Sequence, residues 1–148
     1  MNLKKMLSKN SILPNLLAET KEAAIEELID FLAENNSISD RDAALQAALN
    51  REAKMSTGMQ NGIAIPHGKT DAVSELLVAI AIKPGGIDFD AMDGQPCTIF
   101  IMTLSPEHRV GPHIQFLAEI SKLLGNKELR EKLVAAGSAE EILHLLTD

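Results

Sequence analysis

Four histidines and one cysteine are the side chains of this 148-residue chain best suited to nucleophilic or metal chemistry. One of them has a distinctive setting. His67 follows the apolar run Ile63-Ala64-Ile65 and lies in a Pro66-His67-Gly68 corner. The run reads as a short strand stopped by Pro66, so the imidazole is delivered to a strand end on a backbone that proline stiffens by fixing its own φ. A neutral imidazole is a competent nucleophile near pH 7, because the unperturbed pKa of histidine lies close by. Gly68 has no side chain and would leave room for a bulky partner to approach the ring. The same residues also suit a structural histidine hydrogen-bonded at a strand end, and on residue chemistry alone both readings stand.

Other chemistries fit less well. The stretch from Gly62 to Thr70 has the outline of a phosphate-cradling P-loop, but five residues separate Gly62 from Gly68 where the cradle has four. One of the five is Pro66, which has no N–H to offer a phosphate. Neither 76–82 nor 97–104 ends in an Asp that would hold magnesium, so an ATP site is not expected. There is no His-Glu-x-x-His zinc pattern and no Gly-x-Ser-x-Gly elbow, and the His and Cys spacings do not cluster. No metal and no cofactor are expected. His108, in a Pro-Glu-His-Arg turn, reads as solvated, and His144 as a surface or boundary residue of the last helix. Cys97 reads as a small buried hydrophobe at the start of a strand.

The elements that must position these groups can be read from hydrophobic period. Thr20 caps a helix over 21–34, with Ile25, Leu28, Ile29 and Leu32 on one stripe. Ser39 or Asp40 starts a second helix to about Glu52, whose inner face is Ala44, Leu45, Ala48 and Leu49. The period then changes. Residues 76–82 and 97–104 read as buried strands, separated by a turn-rich excursion that begins at Pro84-Gly85-Gly86. From Pro112 the helical period returns, with Leu117, Ile120, Ser121 and Leu124 on one face and Gly125 at the C′ position. Asn126 caps the next helix, and Ser138 to Glu141 is a capping box for the last. Helices thus flank a central set of strands in an α/β domain, and no linker divides residues 1–148. With 45% apolar residues the chain can build one core.

An ordered set of segments resembles a known family. Arg51-Glu52, Ser56-Thr57-Gly58, Gly62 through Gly68 and Ile87 through Pro96 are similar to the enzyme IIA components of the phosphoenolpyruvate-dependent sugar phosphotransferase system, fructose/mannitol type, including its nitrogen-regulatory branch. Pro112-His113-Ile114 matches a second family histidine at a helix start. The resemblance implies a mixed β-sheet with helices on both faces. It implies that His67 accepts a phosphoryl group from the histidine-phosphorylated carrier HPr or its nitrogen-branch counterpart. Onward transfer to a cysteine of enzyme IIB follows in the sugar branch, and control of a target protein in the regulatory one. The 88–96 stretch and the lack of fused domains lean towards the regulatory branch.

Within that resemblance the remaining residues acquire roles. Transfer between two imidazoles starts from an activated phosphoramidate and needs charge stabilisation at the phosphoryl oxygens rather than a metal. Arg51, at the end of the second helix, would supply a guanidinium fork, or would otherwise be an exposed cation at a helix C-terminus. His113 would donate a ring N–H beside backbone N–H groups that favour an anion, or would otherwise be an exposed first-turn residue. Ser56, Thr57, Gly58 and Gly68 would line the phosphate pocket. Met55 and Met59 would form an adaptable apolar rim or belong to the core.

Charge and composition bound the partners. The chain has 14 basic against 21 acidic residues, a net charge of −7, and neither Trp nor Tyr. Nucleic acid is a poor fit, since phosphates call for Lys/Arg and bases for aromatic platforms. No apolar run approaches the roughly 20 residues of a membrane span, and the start lacks the apolar core of a signal peptide, so a cytoplasmic location is expected. The acidic surface suits transient docking of a basic-faced phosphocarrier.

Overall fold

The computed structural model describes residues 3–148. A short helix α1 (Leu3–Met6), a 3₁₀ turn (Lys9–Ser11) and strand β1 (Ile12–Leu13) precede the long helices α2 (Lys21–Asn35) and α3 (Arg41–Lys54). Strands β2 (Ile63–Ala64), β3 (His67–Lys69), β4 (Leu77–Ile87) and β5 (Cys97–Ser105) follow, then α4 (Gly111–Leu124), α5 (Lys127–Ala135) and α6 (Ala139–Thr147).

The five strands make one mixed sheet in the order β1-β4-β5-β2, with β3 also on β5. Only β4 and β5 run antiparallel; β1, β2 and β3 are parallel to their neighbours. β2 and β3 share a register on β5, Ile63 opposite Ile99 and His67 opposite Thr103. They are therefore one strand interrupted at Pro66, which has no N–H for the ladder, although its carbonyl still accepts the Thr103 N–H at 3.2 Å.

Side chains alternate across the sheet and feed two cores. On one face Ala79, Ala81, Phe100, Met102 and Leu104 pack with Ile25, Leu28, Ile29 and Leu32 of α2 and with Ala44 and Ala48 of α3. On the other, Val78, Ile80, Ile82, Ile99 and Ile101 pack with Phe116, Ile120 and Leu124 of α4, Leu133 of α5 and Ile142 of α6. This is the expected sheet flanked by helices on both faces. Thr20, Asp40, Asn126 and Ser138 each accept an N–H of the helix they open.

Several local expectations are corrected. The segment from Leu3 to Leu13 carries structure that its mixed pattern did not signal. β4 runs on through Pro84-Gly85-Gly86 to Ile87, by way of an irregularity between Ile82 and Ile87 with Gly86 at φ +77°. A Cβ at Gly86 would lie 2.8 Å from that of Pro96, so glycine lets the bent strand stay against its partner. Gly125 keeps right-handed φ of −65° instead of turning left-handed. Glu141 reaches the Gly137 N–H rather than that of Ser138, so the capping box closes one residue further out. The inner stripe of α4 is His113, Phe116, Ile120 and Leu124, with Ser121 exposed. That rotation carries His113 onto the core side. No helix among the described residues is long and apolar enough to cross a membrane.

Candidate functional site

Alternation along β3 decides what surrounds His67. Gly68 faces α3, and an added Cβ there would lie 3.0 Å from the Ala48 nitrogen and 3.2 Å from the Ala47 carbonyl carbon. The glycine thus admits a helix backbone, not an incoming partner, which corrects the first expectation for it. His67 and Lys69 point to the opposite face, where α4 begins. The half-buried His67 ring lies 5.6 Å from that of His113, centroid to centroid.

The protonation pattern follows from the partners. His67 Nδ1 lies 3.0 Å from the Ile65 carbonyl oxygen. A carbonyl can only accept, so Nδ1 carries the hydrogen and Nε2 keeps its lone pair. His113 is buried, and its Nε2 lies 3.0 Å from the Thr103 hydroxyl. Burial first, then the repulsion that a charged His113 would meet from a proton on the neighbouring His67 and from the Lys69 ammonium, push the His113 pKa down to about 4. The ring is therefore neutral at pH 7, with Nδ1 left for a ligand. Thr103 sits opposite His67 on β5, so one strand holds both imidazoles in relation to each other. The first turn of α4 has Pro112 and no side-chain cap.

The other expected residues lie in the segment that follows α3. Arg51 is in the last turn of α3 and its Nη1 donates to the Met55 carbonyl at 2.8 Å, closing its own helix. The Ser56 hydroxyl donates to the Phe89 carbonyl and accepts the Gly58 N–H. Thr57 is buried, and both its N–H and its hydroxyl donate to the Glu52 carboxylate, at 2.8 and 2.5 Å. A Cβ at Gly58 would lie 2.9 Å from both the Ala91 Cα and the Phe89 oxygen. Ser56 and Gly58 fasten the loop to segment 88–96 and Thr57 fastens it to the end of α3, so the two hydroxyls expected to line a phosphate pocket are committed inside the protein. Segment 57–59 also runs antiparallel to β2: Met59 N–H donates to Ile63, Ile65 N–H to Thr57, and Gly58 bridges Ala64.

Met55 is 70% exposed, Met59 38% and Ile114 63%, so the two methionines belong to the surface. His144 is exposed and paired with Asp148, four residues on. His108 is exposed too, near the carboxylates of Asp71 and Glu107. The Cys97 thiol is buried, and burial, then the carboxylates of Asp93 and Asp88, push its pKa up to about 11. It stays protonated at neutral pH and is no nucleophile.

Sequence reasoning gave no role to three residues that organise this site. Glu52 carried a signal: it follows Ala44 and Ala48 at helical spacing on the buried stripe of α3, and a carboxylate on such a stripe demands partners. Its partners are Thr57 and Lys21, whose Nζ lies 2.9 Å away. Burial alone would lower the Lys21 pKa, but hydrogen bonds and charge from Glu52 and Asp90 outweigh it and raise the value. Lys21 and Thr103 gave no signal, since one is a first-turn lysine and the other one of several Thr and Ile in a strand.

Comparison with known proteins adds to this geometry. The family described as "Phosphoenolpyruvate-dependent sugar phosphotransferase system, EIIA 2" matches residues 5–148. The chain is 45% identical over 129 residues to a fructose-specific EIIA component of this system from Haloferax volcanii, covering 87% of this chain and 84% of that one. It is 33% identical over 141 residues to a nitrogen regulatory protein of Bradyrhizobium diazoefficiens, covering 95% and 92% respectively. The crystal structure of nitrogen regulatory protein IIA-Ntr from Neisseria meningitidis superposes with a TM-score of 0.88 at 29% identity, over 98% of this chain and 99% of that one.

Proposed function

The chain belongs to the EIIA type-2 family of the phosphoenolpyruvate-dependent sugar phosphotransferase system and is a phosphoryl carrier, and from that premise we propose that Nε2 of His67 is the atom that carries the phosphoryl group. The observation that supports this most is the hydrogen bond from Nδ1 to the Ile65 carbonyl, which leaves Nε2 as the nucleophile. In the forward step the Nε2 lone pair attacks phosphorus of a phosphohistidine on an HPr-type carrier. The donor P–N bond breaks and its electron pair returns to the donor ring. As Nε2 bonds to phosphorus the His67 ring gains positive charge, and its Nδ1–H bond to Ile65 strengthens at that moment. His113, neutral and facing the same space, donates from Nδ1 to a phosphoryl oxygen when the Thr103 hydroxyl donates to its Nε2. Arg51 supplies positive charge from the end of α3 once its guanidinium leaves the Met55 carbonyl.

In the next step a cysteine thiolate of a IIB protein attacks phosphorus, the P–N bond breaks, and Nε2 recovers its lone pair. The 45% identity to a fructose-specific component favours this sugar branch. A regulatory role, exerted through a target protein that distinguishes the phosphorylated from the free form, is the second reading, favoured by the superposition on IIA-Ntr.

The test incubates the purified protein with phosphoenolpyruvate, enzyme I and HPr and measures acid-labile phosphate. Labelling of the parent and its loss in His67→Ala are expected; a variant that labels as well as the parent excludes His67. Discharge of the labelled protein onto a fructose-type IIB cysteine separates the branches: rapid discharge supports transport, and a label that persists supports regulation.

A further inference from the structure

We propose that Glu52 is a positioning residue for phosphoryl transfer, holding His67 in its Nδ1–H form through Thr57 and Ile65; the inference rests on His67 being the acceptor. Glu52 is a buried carboxylate with no contact to either imidazole among the described residues, and both of its oxygens are spent inside the protein. One oxygen accepts the Thr57 N–H and meets the Lys21 ammonium, and the other accepts the Thr57 hydroxyl. A buried charge of this kind is costly unless it is fully paired, and here the pairing ties together the start of α2, the end of α3 and the loop after it.

Thr57 is thereby held at both of its donors, which leaves its carbonyl to act on the next segment. That carbonyl accepts the Ile65 N–H at 3.0 Å, and Gly58 bridges Ala64 alongside. The next carbonyl along the chain, that of Ile65, is the one His67 Nδ1 meets at 3.0 Å. The amide joining Ile65 to Pro66 has no N–H, so its only polar role is to accept. The links from Glu52 to the imidazole are therefore two side-chain bonds, one backbone bond and one ring bond. If the Ile65 carbonyl drifts, the imidazole is free to place its hydrogen on Nε2, and the nucleophilic lone pair is lost with it.

The experiment reads the His67 tautomer by ¹⁵N ring-coupling NMR in the free protein, with no phosphoryl donor present, and separately the single-turnover rate of phosphorylation by HPr. Glu52→Gln keeps the volume but removes the charge that Lys21 meets and leaves one acceptor oxygen where the carboxylate has two, and Thr57→Val removes the hydroxyl from the other end without touching the charge. Both are expected to move His67 towards the mixed tautomers of a free imidazole and to slow transfer by about tenfold or more, as displacement of a reacting group does. Thr57→Ser, which retains the hydroxyl, is expected to keep the parent tautomer and rate. If His67 stays in the Nδ1–H form in Thr57→Val and in Glu52→Gln, the proposal is overturned whatever the rate does. Should Glu52→Gln fail to fold, the two Thr57 variants decide alone. Labelling that survives His67→Ala would remove the reading of the acceptor while leaving the tautomer result intact, so the two failures are distinguishable.

Discussion

At the residue scale, the two imidazoles are tuned by different means. A backbone carbonyl fixes the hydrogen on His67, whereas burial keeps His113 uncharged. The second device couples the site to stability. Unfolded, His113 would protonate near 6.5; folded, it does so at about 4. Between these values the unfolded chain binds the extra proton, so the contribution of His113 is whole above about pH 6.5 and is lost as pH falls towards 4. The gap corresponds to about 3 kcal/mol, following the linkage between proton binding and unfolding. Urea titrations at pH 7 and pH 4.5 should therefore show a smaller acid loss in His113→Gln than in the parent. Equal losses would show that His113 does not carry the charge penalty. His67 was visible in the sequence because a proline-bounded apolar run pointed at it. The burial of His113 was not, because Leu117 and Ser121 suggested a different face of the helix.

At the scale of elements, the arrangement depends on two close approaches made at glycines. Gly68 lets α3 lie on β3, and Gly58 lets the loop after α3 lie on segment 88–96. A methyl group at position 68 meets backbone atoms of Ala47 and Ala48, which cannot swing aside as a side chain would. Gly68→Ala should cost about 1–3 kcal/mol, in the range of overpacked cores. It should also slow phosphorylation, because β3 and α3 must separate. Gly137→Ala, with open space around it, should stay within about 0.5 kcal/mol, as surface changes do. Denaturation followed by circular dichroism compares them, and similar losses for both would dismiss the packing argument. The long helices were legible from their caps and stripes. The strand through Pro84 to Ile87 was not, because proline and glycine mark a turn as readily as a bulge. Nor could the hydroxyls of Ser56 and Thr57 reveal whether they would face a ligand or the protein, since that depends on Glu52 and Phe89 arriving from elsewhere in the chain.

At the scale of the whole molecule, the layered α/β class followed from the alternation of helical and strand periods, and the order of strands did not. Nothing local in Ile12 and Leu13 indicates pairing with Ile80 and Ala81, far away in the chain. The net charge of −7 likewise belongs to no single element. It predicts that phosphorylation by a carrier with a basic docking face has a second-order rate that falls as ionic strength rises from about 0.05 to 0.5 M, since screening shortens the reach of charge. A rate indifferent to salt would mean that contact surfaces alone govern the encounter.

The pairing of segment 57–59 along β2 has a consequence beyond the imidazole it helps to orient. Open sheet edges recruit strands from other chains, by design in strand-adding receptors and by accident in aggregation. Here the N–H and carbonyl groups on the outer side of β2 already have partners within the chain, β3 is three residues long, and the opposite edge strand β1 is two. A protein that comes to exchange a phosphoryl group finds side chains at the β2 edge rather than backbone to zip onto. Such a contact can form and dissolve quickly, as befits a carrier that must release one partner before meeting the next.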